Sequence, residues 1–296
     1  MILEPLMSAK QRAQINPDGS FNVDRRGIHA SLRHDLYHFL QAASWARLIA
    51  LLSLLYILAN LVFALLYLPG LAGLANARSG SFADAFFFSV QTMSTVGYGY
   101  LAPQSLYINL IMVIESVFGF LLTAVATGLI FAKFSRVRAR VLFSQVAVIH
   151  TLNGKKVLSF RAANQRHAEI VDASIKVALT RDEQTAEGYF LRRFYDLKLE
   201  RDTSPLFALV WNIYHVIDES SPLFGKNAED IQNEASVLLV SFSGIDDHLV
   251  QTLHTRHAYN SGDIHFGRRL TDIIGWSEEG RRFVDYRRFH ETEAEF

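Results

Sequence analysis

Two uninterrupted apolar runs set the terms for everything else in this chain. Leu48–Leu68 reads LIALLSLLYILANLVFALLYL, with no charge and Asn60 as its only strongly polar member. A helix needs about 20 apolar residues to cross a bilayer core, and this run suffices. Buried helices of soluble cores seldom stay apolar on all faces for this long, so a membrane span is the better reading. Pro69-Gly70 ends the run. The second run, Leu106–Phe131, reads LYINLIMVIESVFGFLLTAVATGLIF and carries Asn109 and Glu115. A carboxylate at that depth costs on the order of several kcal/mol unless it faces protein or water. The second span is therefore expected to line something, with Glu115 on the lining side, while the first faces lipid. Gly119 and Gly128 suit bending or close helix approach, or simple packing.

Charge orients the spans. Lys133, Arg136, Arg138 and Arg140 follow the second, and Arg25, Arg26, Arg33 and Arg47 precede the first. Arg78 is the one basic residue between them. The positive-inside rule makes this a multi-pass protein of the cell (inner) membrane with both termini cytoplasmic. Basic and acidic residues number 29 each, so no whole-protein field attracts nucleic acid. With no cysteine, disulfides, zinc-thiolate sites and cysteine nucleophiles are excluded. The N-terminal stretch lacks the basic-then-apolar pattern of a secretory signal.

Between the spans, 81–93 (SFADAFFFSVQTM) reads as a short helix with Ser81 as N-cap and Asp84 suiting the helix dipole. It is too short to span, and Ser94 leads from it into Thr95-Val96-Gly97-Tyr98-Gly99. A helix that enters the membrane part-way and leaves as extended chain is a re-entrant loop. Its backbone survives there only where protein or water satisfies its amides. The string TVGYG resembles the filter signature of potassium channels. The chemistry explains the spacing. Glycines at 97 and 99 reach backbone angles barred to other residues, letting successive carbonyls turn the same way. Carbonyls of Thr95, Val96, Gly97 and Tyr98 would hold K+, with the Thr95 hydroxyl at the inner end. Val96 and Tyr98 are expected to pack behind the filter. One such segment cannot enclose a pore, so a homotetramer is expected. No arginine-rich helix precedes the spans, which leaves no voltage sensor.

Residues 1–31 read as a cytoplasmic arm, with Pro17-Asp18-Gly19-Ser20 a turn in a loosely ordered stretch. Residues 32–47 carry Leu32, Leu36, Phe39, Leu40 and Ala43 at helical spacing. They suggest an amphipathic helix along the interface, with Trp45 in the headgroup belt. The pore domain then covers 48–135. From 136 onward short β-rich runs alternate with turn signals: VAVIHTL, Asn153-Gly154, KKVLSFRAA, IKVALT, FLRRFYDLKL, SVLLVSFSG, LVQTLHTRHAY and Ser261-Gly262-Asp263. That texture implies an all-β immunoglobulin-like sandwich over 136–296. The fold class is thus an α-helical two-span pore domain plus a cytoplasmic β-sandwich. No Gly-rich nucleotide fingerprint, nucleophile elbow or zinc-helix motif is present, and the chain reads as no enzyme and in need of no cofactor. His34/His38 and His254/His257 have helical ligand spacing but no obvious acidic third ligand.

The chain resembles the inward-rectifier potassium channels, most closely their prokaryotic branch. Beyond TVGYG, the likeness rests on FSQVAVI (Phe143–Ile149), FRAANQR (Phe160–Arg166), HVIDESSPLFG (His215–Gly225), RHAYNSGDI (Arg256–Ile264) and DYRRFHETEA (Asp285–Ala294). The resemblance implies a gate at Phe131 and a hinge at Gly119. It implies a narrow cytoplasmic pore loop at Gly244–Thr252, including Gly244, Ile245 and Asp246. It also implies anionic phosphoinositide contacts at Lys133, Arg136 and Arg138, where a juxtamembrane basic cluster favours anionic lipid in any case. Thr123 stands on the pore lining where strong rectifiers carry a carboxylate, so block by Mg2+ or polyamines is expected to be weak. Glu187 matches a second, cytoplasmic blocker site. Gln91 and Leu101 replace a buried Glu–Arg brace, both partners together, which avoids stranding one charge. Ser44 and Ala46 replace lipid-binding arginines. A membrane-anchored binding protein or a non-selective channel of the same architecture are the alternatives; the first gives TVGYG no task, and the intact Tyr98-Gly99 argues against the second.

Overall fold

A computed structural model describes residues 15–20, 27, 32–135, 140–166 and 168–295. The chain divides into two units, Gly27–Arg136 and the pair Met1–Arg26 with Val137–Phe296.

In the first unit, α1 (Leu32–Ala42) stops short of α2 (Trp45–Tyr67). The break lies at Ala43-Ser44, where the Ser44 hydroxyl accepts from the Arg47 amide and caps α2. Trp45–Arg47 therefore belong to the spanning helix and not to an interfacial helix over 32–47. A 3-10 turn, Leu68–Gly73, extends α2. Strand β1 (Leu74–Ala75) pairs antiparallel with β2 (Ala102–Pro103), and between them lies α3 (Phe82–Met93). Twelve residues at about 1.5 Å each fall well short of a bilayer core of about 30 Å. The last helix, α4, is Leu106–Phe134. The runs Trp45–Gly73 and Leu106–Phe134 are both long and apolar enough to cross a membrane. Their contact face buries Ala59, Phe63, Ala64 and Tyr67 of α2, Ala85, Phe88 and Met93 of α3, and Ile108 and Ile111 of α4. Lipid tails are as apolar as these side chains, so close packing and polar links, not the hydrophobic effect, hold three such helices together in a bilayer.

The second unit is a sandwich of two five-stranded sheets. Its strands run β3 (Val141–Phe143), β4 (Ala147–Leu152), β5 (Lys155–Asn164), β6 (Ile170–Gln184), β7 (Phe190–Leu197), β8 (Thr203–Phe207) and β9 (Val210–Val216). After the short helix α5 (Ala228–Asn233) come β10 (Val237–Asp246), β11 (Gln251–Asn260) and β12 (Ile264–Phe266). One sheet has the order β11-β10-β6-β7 with β8 also on β6; the other is β12-β4-β5-β3 with β9 also on β5. Ile175, Val177, Leu238, Val240 and Phe242 of the first meet Ile149, Leu158, Phe160 and Ile213 of the second in one core. The fold is the immunoglobulin-like sandwich expected. Asn153 and Gly154 join β4 to β5 with φ of 51° and 75°, the doubly left-handed turn that suits a two-residue hairpin.

Every run picked out by alternation is a strand, but alternation singles out neither β8 nor β9. Strand β8 contains Pro205, which is tolerated because β8 pairs only with β6. Strand β5 is buried along Val157–Asn164 on both faces. The two-stranded pairs β13 (Arg268–Leu270) with β16 (Thr292–Ala294), and β14 (Ile274–Trp276) with β15 (Arg282–Val284), belong to the C-terminal segment that covers its outer face through Ile273 and Phe289. There Arg161 is buried, donating to Asn212 Oδ1 (2.9 Å) and the Thr271 carbonyl (2.8 Å) above the Phe289 ring. Residues 15–20 are not loose. Ile15 is buried against Val237 and Ala258, and the Ala258 amide donates to the Pro17 carbonyl at 3.0 Å.

Candidate functional site

Helix α3 hands the chain directly to the segment Thr95–Gly99. The amides of Val96 and Gly97 both donate to the Gln91 carbonyl, at 3.0 and 3.4 Å, and the Thr95 amide donates to Thr92 O at 3.1 Å. These bonds use the orphan carbonyls of the last helical turn. Beyond them φ alternates: +59° at Thr95, +54° at Gly97 and +78° at Gly99, with Val96 and Tyr98 between them not left-handed. Alternation of this kind aims successive carbonyls to one side. Sequence reasoning gives the left-handed angles to the glycines alone, yet Thr95 shares them. A β-branched residue there is strained, and such strain concentrates at functional sites.

The outer end of the segment is tied separately. Asn76 Nδ2 donates to the Tyr100 carbonyl at 2.7 Å, and the β1–β2 ladder closes the loop. Arg78 grips Asp84 with Nε (3.0 Å) and Nη2 (2.8 Å), and this guanidinium holds the Asp84 carboxyl below the usual carboxylate range. Val96 and Tyr98 do not pack behind the filter within their own chain: they are 52% and 77% exposed.

Glu115 does not line an open surface. It is fully buried between the three helices, accepting from Tyr67 Oη of α2 at 2.5 Å and hydrogen-bonded to Ser89 Oγ of α3. The membrane interior disfavours an isolated carboxyl, and the chain answers by enclosing it in its own polar contacts. Ser89 also meets Asn60 Oδ1 at 3.0 Å. The sequence shows Asn60 as the one strongly polar residue of its span; that Tyr67 and Ser89 converge with it on one point is visible only in three dimensions. One turn along α4, a Cβ on Gly119 would stand 2.9 Å from Met93 Cγ and 3.0 Å from Met93 O. Gly119 is thus a close-approach glycine against the last residue of α3, and α4 runs through it without a break. Gly128 has open space around it. Thr123 and Phe131 are exposed, and at about 100° per residue Phe131 lies roughly 160° around the helix from Glu115.

Lys133 is engaged within its own unit. Its Nζ donates to the carbonyls of Gln41 (3.0 Å) and Ala43 (2.5 Å), at the C-terminal end of α1, and sits 5.6 Å from the Trp45 ring centroid. A cation is favoured there by the helix dipole. Two of its three protons are therefore committed to protein and not to a lipid headgroup. Lys133→Met should leave those carbonyls unpaired and loosen α1, seen as faster amide exchange over residues 40–43. Arg136 and Arg138 lie outside the described residues, as do the side chains of His34 and His38.

In the sandwich unit, Gly244 and Ile245 belong to strand β10, and Asp246 is its last residue. The exposed turn is only Asp247–Val250, so the expected pore loop is shorter than Gly244–Thr252. A Cβ on Gly244 would lie 2.5 Å from Ile170 Cγ2, at the register shift between Ser243 and Ile245. Asp246 is buried, accepts from the amides of His248 (3.1 Å) and Leu249 (3.0 Å), and pairs with Arg166 at 3.6 Å. It shapes the turn from beneath. At the apex Val250 is 80% exposed with φ +50°, a second strained β-branched residue. Glu187 is exposed in the turn between β6 and β7, and a hydrogen bond from Thr185 holds its carboxyl below the usual range. His254 is exposed, while His257 stacks on Phe143 with ring centroids 5.1 Å apart. Among the described residues no three His, Asp or Glu side chains converge as a metal site.

Residues 141–295 match the family model for the inward rectifier potassium channel C-terminal domain, and residues 50–136 match that for an ion channel. The chain is 42% identical over 284 residues to the inward rectifier potassium channel Kirbac3.1 of Paramagnetospirillum magnetotacticum, covering 96% of each protein. It is 32% identical over 225 residues to the human inward rectifier potassium channel 4, covering 71% of this chain but 49% of the human protein. Against the mouse G protein-activated inward rectifier potassium channel 2 it is 28% identical over 316 residues, covering 96% of this chain and 72% of the other. A pore-type helical unit and a matching β-rich unit in one chain, with these relatives along almost its whole length, place it in the inward rectifier potassium channel family.

Proposed function

We propose that four copies of this chain surround a common axis and conduct K+ across the cell membrane through stacked carbonyls of Thr95, Val96, Gly97 and Tyr98. The observation that carries this reading is the alternation of φ from Thr95 to Gly99 immediately after a short helix. Carbonyls aimed one way can replace the ion's hydration shell, and a ring of them needs several chains. The uncovered Val96 and Tyr98 side chains favour the same assembly, since a neighbouring copy would cover them.

Four Phe131 rings near the inner end of α4 are the gate, closing the path by excluding water. Gly119 acts first as a packing point for Met93, and as a hinge only if that contact parts. The Asp247–Val250 turn forms the cytoplasmic constriction. Anionic lipid, phosphoinositides included, would act through the basic residues that follow α4, with Lys133 contributing its one uncommitted proton. Mg2+ and polyamines are weak blockers, at Thr123 and at Glu187. Thr123→Asp should raise apparent affinity for Mg2+ or spermine by about tenfold or more, since four carboxylates would then face one axis. Unchanged block would take Thr123 off the pore lining. Rubidium uptake into liposomes, blocked by barium and tested against sodium, checks the whole reading. Uptake with no preference over sodium would defeat it.

A further inference from the structure

The buried contacts of Glu115 can be counted proton by proton. Asn60 Nδ2 donates to the Tyr56 carbonyl (2.8 Å) and to Met93 Sδ (3.4 Å), which turns Asn60 Oδ1 toward Ser89. Ser89 Oγ touches both Asn60 Oδ1 and Glu115 Oε1, but a hydroxyl has a single hydrogen. If Glu115 were a carboxylate, Ser89 could serve only one of these oxygens. Two lone-pair atoms would then face each other in a dry interior, where an unmade hydrogen bond is costly. A proton on Glu115 Oε1 resolves the conflict. Glu115 donates to Ser89, Ser89 to Asn60, and Tyr67 Oη to Glu115 Oε2. Every donor then has one acceptor. The titratable groups of α2 are Tyr67, Tyr56, which donates to the Val90 carbonyl at 3.4 Å, and Arg47 at the opposite end of the helix; α4 adds Tyr107, which donates to the Leu66 carbonyl. Helix α3 brings only Asp84, at its far end and paired with Arg78. No other acidic residue and no cation lies along α4 before Lys133.

We propose that Glu115 is a neutral, proton-donating positioning residue that fastens the inner helix to the pore helix behind the filter. This rests on the channel reading above and adds a residue to it. Ser89 lies two residues before Gln91, whose carbonyl holds the amides of Val96 and Gly97. Fixing Ser89 fixes the last turn of α3 and, through it, the inner half of the carbonyl stack.

The test compares wild type, E115Q, E115L and S89A as purified protein in liposomes. A glutamine amide donates as the acid does, so E115Q should keep potassium-over-sodium discrimination within about twofold of wild type. E115L and S89A break the chain of donors and should lower discrimination by about tenfold or more, with tetramer elution unchanged. An infrared difference spectrum of wild type minus E115Q should show the carbonyl band of a protonated carboxylic acid, shifted in heavy water. E115Q as defective as E115L, a missing acid band, or full discrimination in S89A would each overturn the proposal. Should E115L fail to assemble, S89A and E115Q decide it. Wild type without potassium preference would refute the channel reading instead, and the infrared band would still report whether Glu115 carries its proton.

Discussion

Gly99→Ala abolishes potassium uptake while the protein still assembles as a tetramer: that is the first expected result. A Cβ on Gly99 would meet nothing within 4 Å in the subunit, so space is not the obstacle. The obstacle is φ of +78°, which costs an L-residue about 1–2 kcal/mol. Four copies incur that cost together, and the cheapest escape is to rotate the peptide. Rotation removes one carbonyl per subunit from the stack, and a ring with its oxygens turned away no longer replaces water around the ion. The fold away from the filter has no reason to respond. Rubidium flux should fall to background, with the size-exclusion profile and helix content unchanged. Flux near the wild-type rate would mean that the carbonyls at this level do not bear on conduction.

Gly119→Ala should be the more damaging change for stability. The new methyl would press on Met93 Cγ at 2.9 Å, which can move, and on Met93 O at 3.0 Å and Cα at 3.3 Å, which belong to the pore-helix backbone. Overpacking of this kind costs about 1–3 kcal/mol. The strain lands on the last residue of α3, two before Thr95, so potassium flux should drop along with thermal stability of the tetramer in detergent. Gly128→Ala is the control: open space surrounds Gly128, and alanine is the better helix former by about 1 kcal/mol. Equal losses in the two variants would remove the Gly119–Met93 contact from the account.

The spans, the short helix, the filter string and most of the sandwich strands are legible because each is a local pattern. Apolar length marks a membrane helix, alternation marks a half-buried strand, and Asn153-Gly154 marks a hairpin. The hidden features depend on distant partners. Strand β9 pairs with β5 under a C-terminal covering that no local pattern announces. Glu115 reads as pore-lining because an acid in an apolar run must face something polar. It does face polar groups, but they are Tyr67 and Ser89, which lie 48 and 26 residues away in sequence. Lys133 reads as a headgroup cation because its neighbours in sequence are basic, whereas its partners are the carbonyls of Gln41 and Ala43, 92 and 90 residues earlier in sequence. Thr95 shows the same limit at short range. Glycine advertises a left-handed angle, and threonine conceals one.

The lysine fastening between the start and the end of the helical unit has a mechanical consequence. Residues 41–43 join α1 to the start of the spanning helix α2, and Lys133 stands two residues along α4 from Phe131. Sideways displacement of one is therefore displacement of the other. On the proposed reading, in which four Phe131 rings are the gate, a thicker or stiffer bilayer that shifts α1 would tug on that gate without any molecule having to bind.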